Sequence, residues 1–195
     1  MKRALIPALA AATLLAGCVS FGEKPPSVLL TLTADNHPSA DSAWSAAEGN
    51  PLAVLAPSAP AVLANEGVAV MTSDTGVAYL ADARWADQPA RMFADMLGET
   101  IAARTGRMVI DRRQNALTPV ARLSGRLNAF GLDAQKGEVV VSYDAALMPG
   151  EGKPLLTRRF EARVPAASEA PDAVARALNQ ASNQVAVAVA DWVGK

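Results

Sequence analysis

RLSGRLNAFGLDAQKGEVVVSYDAALMPGEGKPLLTRRFEARV, residues 122–164, is the stretch on which the fold class turns. Residues 122–132 and 138–147 alternate apolar and polar side chains, the two-residue period of a strand with one buried face. Gln135, Lys136 and Gly137 between them supply turn chemistry, so the two runs predict a hairpin. Residues 154–164 add a third strand to this antiparallel meander. A helix then begins near Pro171 and Asp172. Its apolar residues Val174, Leu178, Ala181, Val185, Val189 and Trp192 recur at helical spacing and predict one buried stripe.

Upstream of the meander lies a second helix. Asp87 is a candidate N-cap, Pro89 sits in the first turn where its missing N–H costs nothing, and Gly106 follows the end. Phe93, Met96, Leu97, Thr100 and Ile101 mark its buried face. Residues 108–110 form a short strand after it. Before it, the apolar runs 67–71 and 76–80 flank Ser73-Asp74-Thr75-Gly76 and predict a hairpin. Residues 27–33, SVLLTLT, are β-branched and aliphatic and predict a strand. Residues 34–50 are polar and suit a long loop. A short apolar run at 52–55 and a Pro/Ala-rich stretch at 56–61 follow. The order is strands, helix, strands, helix. It predicts an α+β fold, a mostly antiparallel sheet with two main helices packed on one face.

The first residues are of another kind. Lys2 and Arg3 precede an apolar run, 4–16, that is shorter than the roughly 20 residues a spanning helix needs. A charged start, a short apolar core and small residues at its exit describe a secretory signal. The exit reads Leu15-Ala16-Gly17-Cys18, which resembles a lipobox. The thiol of Cys18 would be alkylated with diacylglycerol, and the small Ala16 and Gly17 would let the backbone enter the lipoprotein signal peptidase. The predicted organisation is a signal peptide at 1–17, a lipidated tether at 18–26 with Gly22, Pro25 and Pro26, and one periplasmic domain at 27–195. Cys18 is the only cysteine, so no intramolecular disulfide supports the fold.

With a formal net charge of −1, no basic surface points to nucleic acid. No phosphate-binding glycine loop and no Gly-x-Ser-x-Gly elbow occurs. The one histidine, His37, stands in the polar loop beside Asp35; with no second histidine, a solvated side chain outweighs a base or metal ligand. Neither an enzyme nor a cofactor or metal is expected. Arg112-Arg113 and Arg158-Arg159 read as surface pairs, one arginine solvated and the other packing its stem on the sheet; contact with phospholipid headgroups or a partner's carboxylates is the alternative. Trp85 reads as a wedge between helix and sheet.

Ala83-Arg84-Trp85-Ala86-Asp87-Gln88-Pro89, running into Met92-Phe93-Ala94-Asp95-Met96-Leu97, resembles the signature of the ABC-type transport auxiliary lipoproteins, the PqiC-like family. The shared pattern is a tryptophan, an acid and a proline (Trp85, Asp87, Pro89) leading into a helix, and the resemblance covers roughly residues 27–193. It implies a non-catalytic lipoprotein subunit of a lipid-transport system, partnered by an MCE-domain protein, an ABC permease and an ATPase. Phospholipid contact and homo-oligomerisation are compatible with that role. Val19 after the lipidated cysteine, in place of aspartate, favours the periplasmic face of the outer membrane. An outer-membrane assembly lipoprotein that partners a β-barrel is the alternative.

Overall fold

The structure, a computed structural model, describes residues 28–42, 51–110 and 121–194. Leu15, Ala16, Gly17, Cys18, the tether and Arg112-Arg113 lie outside them. Among the described residues seven strands and two α-helices follow in chain order, with a single 3-10 turn at Ala61–Leu63 besides: β1 Leu52–Val54, β2 Gly67–Met71, β3 Val77–Arg84, α1 Pro89–Thr105, β4 Val109–Ile110, β5 Ala121–Asp133, β6 Glu138–Met148, β7 Leu156–Pro165 and α2 Pro171–Val193.

The meander forms as its alternation predicts. β6 pairs antiparallel with β5 on one side and with β7 on the other. Its inward set includes Val139, Val141, Tyr143 and Leu147, all buried. The hairpin β2–β3 also forms.

The sheet as a whole is mixed, which corrects the expectation of a mostly antiparallel one. The second edge of β5 is shared: its N-terminal part pairs parallel with β1, and its C-terminal part pairs parallel with β2. β4 extends the sheet, parallel to β1. The physical reason lies in β1. Leu52 and Ala53 are both buried although neighbouring strand residues face opposite sides, so this strand is covered on both faces. A continuous apolar run of that kind belongs inside a sheet, in parallel pairing, rather than in a one-faced meander. β2 comes so close to β5 that a Cβ on Gly131 would lie 2.4 Å from the carbonyl oxygen of Ala69, so only glycine fits there.

Residues 27–33 were expected as a strand, and this too is corrected. Among the described ones, only Leu30 makes a bridge, parallel to Trp85. The segment is extended but does not build a ladder, because its later backbone groups bond to side chains.

The helices share one face of the sheet, as their stripes require. Phe93, Leu97 and Ile101 of α1 and Val174, Leu178, Ala181, Val185 and Val189 of α2 are at most 1% exposed. Burying each of the larger side chains contributes about 1.5–3 kcal/mol. Phe93 meets Tyr143 edge-on at 5.3 Å, and the Tyr143 hydroxyl donates to the carbonyl of Ser124 at 2.7 Å. Burial pushes that phenol's pKa up, so it remains a neutral donor. Arg104 and Asp191 join the last turns of the two helices at 2.6 Å, which shows that α1 and α2 end side by side. Gly106 closes α1 with φ 67, a left-handed position suited to glycine. Asp87 is not the N-cap. Gln88 occupies that position, and Pro89 begins the helix.

Candidate functional site

Trp85, Asp87 and Pro89 come together where β3 turns into α1. Trp85 is 1% exposed and its ring meets Phe130 of β5 at 5.6 Å, so it is buried against the sheet just before α1 begins. Asp87 Oδ1 accepts the N–H of Gln88 at 2.7 Å and lies 3.5 Å from Arg91 on the next turn. Asp87 therefore steadies the start of α1 from one residue further out than expected. Pro89 fixes the first helical φ without losing a hydrogen bond.

The same corner holds the extended segment that leads in from the N-terminal side. The N–H of Leu30 donates to the carbonyl of Arg84, and the N–H of Ala86 donates to the carbonyl of Leu30, both at 2.8 Å. Further along, the segment is gripped by α2. The N–H groups of Thr33 and Asp35 donate to the Oδ1 atoms of Asn179 and Asn183, each at 2.8 Å. Asn183 Nδ2 donates back to the carbonyl of Thr33 at 2.9 Å. Two asparagines one helical turn apart thus stand in for a neighbouring strand. Asn183 is 3% exposed, so its amide would be costly to leave unpaired. The result is a strap, fastened at one end by the Trp85 corner and at the other by α2.

Strap and α1 enclose a groove of about 180 Å3, lined by Thr31, Leu32, Thr33, Ala34, Met92, Asp95, Met96 and Glu99. That is below the roughly 300 Å3 at which small-molecule sites begin. Among the described residues no group of three or more His, Cys, Asp or Glu could hold a metal. His37 stands exposed after the strap, its Nδ1 3.3 Å from the carbonyl oxygen of Pro38. Arg158 and Arg159 separate: Arg158 lies over the Phe160 ring at 5.0 Å, and Arg159 pairs with Asp144 at 2.6 Å. Arg158 is thus the one laid on the sheet and Arg159 the solvated one, as expected of the pair, although both are exposed. Among the described residues no helix is long and apolar enough to cross a membrane.

Sequence reasoning missed Asn179 and Asn183. Their signal was present: two amides at i and i+4 beside the apolar stripe of an alanine-rich helix, where asparagine is a poor helix former and needs a reason to stay.

A family model described as the ABC-type transport auxiliary lipoprotein component matches residues 30–190, nearly all of the domain. No curated protein matches by sequence. Among solved structures, protein XCC0632 from Xanthomonas campestris, of family DUF330, is similar with a TM-score of 0.68 and 20% identity, over 85% of this chain and 94% of that one. An uncharacterized protein is similar with a TM-score of 0.65 and 21% identity, over 74% of this chain and 92% of that one. At such identity these likenesses concern the fold.

Proposed function

The chain belongs to the family of ABC-type transport auxiliary lipoprotein components, and from that premise we propose that it is the non-catalytic lipoprotein subunit of a system that moves lipid between the inner and outer membranes. It is held at the periplasmic face of the outer membrane by acyl chains on Cys18, palmitate among them. It works there with an MCE-domain protein, a permease and an ATPase, and supports envelope integrity.

The observation that carries this reading is the strap. Nine residues lie between Cys18 and Val28, a reach of at most about 36 Å over the ten steps, and the strap then locks the chain to the helix layer. The strap, fastened by hydrogen bonds, fixes where the chain from the anchor enters the domain. One acyl chain binds a bilayer only marginally, whereas the two or three of a mature lipoprotein anchor it stably.

Fatty-acid labelling and fractionation test the reading. Cys18→Ala should abolish labelling, leave the protein unprocessed or released from the outer membrane, and sensitise cells to detergent. Label in the Cys18→Ala protein, or a detergent-resistant strain carrying it, would contradict the proposal.

A further inference from the structure

The strap is held as a bound peptide would be. Every fastening described above reaches its main chain: Leu30 through Arg84 and Ala86, Thr33 and Asp35 through Asn179 and Asn183. Its side chains alternate. Leu30, Leu32 and Ala34 pack toward the core, whereas Thr31, Thr33 and Asp35 are exposed. Main-chain bonds for affinity and pockets for alternate side chains are how proteins take up an extended segment of another chain.

The seat is looser than a joint of the core. Of the inward side chains only Ala34 is buried; Leu30 and Leu32 remain half-buried. The groove of about 180 Å3 lies between strap and α1, so the strap covers it without filling it. The asparagine grip also survives the strap's departure. Asn183 Nδ2 donates to the carbonyl of Asn179 at 3.0 Å as well as to that of Thr33, so it keeps a partner in its own helix. The two Oδ1 atoms would then accept from water, and no buried amide is stranded.

The groove shows what the strap lacks. Asp95 and Glu99 line it beside Thr31 and Thr33, and no basic side chain does. The two carboxylates stand four residues apart on α1, about 6 Å along its axis. Thr31 and Thr33 stand about 6.6 Å apart along the extended strap, a closely matched spacing. A segment with lysine or arginine at those two places would bring its cations to the carboxylates.

We propose that the surface formed by α1, α2 and the Trp85 corner is a binding site for an extended segment of a partner protein in which apolar and basic residues alternate. The strap is the tethered, displaceable occupant of that site.

A fluorescent peptide of residues 28–36, and the same peptide carrying Thr31→Lys and Thr33→Lys, are titrated against the full chain and read by anisotropy. The lysine peptide should bind at least tenfold tighter than the native one and weaken as salt rises. A Thr33→Pro chain, whose strap lacks the N–H that Asn179 accepts, should bind both peptides at least tenfold tighter than wild type. Adding Asn183→Ala should undo that gain. The Thr33→Pro chain should keep the circular dichroism of wild type; Leu32→Asp replaces it if proline disturbs the fold. Unfolding of both variants would show the strap to be part of the core and overturn the proposal. No saturable binding to the opened chain, equal affinities for the two peptides, or binding indifferent to Asn183→Ala would overturn it as well.

Discussion

Asp144 and Arg159 face each other across β6 and β7 on the side of the sheet away from the helices, with Nε 2.6 Å from Oδ1. Hydrogen bonding to that guanidinium is the main reason the carboxyl titrates at about 2 instead of 3.8. A depressed acid stabilises the fold above its unfolded pKa and loses that contribution as pH falls through the folded value, here between about 4 and 2. The pair is largely solvated, so the effect on melting temperature should be small. Arg159→Ala should move the Asp144 titration up toward the ordinary range, read by carboxyl carbon NMR; an unchanged titration would show that Arg159 is not its cause. Individual residues were unevenly legible. Trp85, Pro89 and the core stripes could be read because burial and helix starts impose residue types. Asp87 was read one position off, because its carboxylate bonds the N–H of the capping residue itself. Asn179 and Asn183 were not read, because their partner is a distant segment that sequence spacing does not reveal.

The elements whose order depends on local pattern were legible: both helices, both hairpins and the third strand of the meander. The strap and the parallel pairings of β1, β2 and β4 were not. Apolar runs of two to five residues can enter a sheet at any open edge, and only the shared edge of β5 decides where. The strap looks like a strand because it is extended and apolar, yet asparagine side chains replace its ladder. A double variant, Asn179→Ala with Asn183→Ala, should therefore free the strap without unfolding α2, whose stripe remains buried. Each lost hydrogen bond costs about 1 kcal/mol. Hydrogen exchange should show the amides of Thr33 and Asp35 losing protection by at least tenfold while those of α2 between Ala181 and Val189 keep theirs. Equal loss in both segments would mean that the asparagines hold the helix rather than the strap.

For the molecule as a whole, family membership was legible from the Trp85, Asp87 and Pro89 corner, and the match over residues 30–190 shows it. That corner carries so much information because it performs two structural tasks, starting α1 and fastening the strap. The strap, held at the Trp85 corner at one end and by Asn179 and Asn183 at the other, emerges only once strands and helices are in place. The proposed role, an adapter between a membrane and a protein partner, rests on that family membership. The decisive measurement is isolation of the lipidated chain from outer membranes under mild detergent, followed by identification of what accompanies it. The adapter account predicts the MCE-domain protein together with its permease and ATPase, all lost from the Cys18→Ala preparation. Recovery of a β-barrel assembly complex in their place, or of the lipoprotein with no transporter subunit, would contradict it.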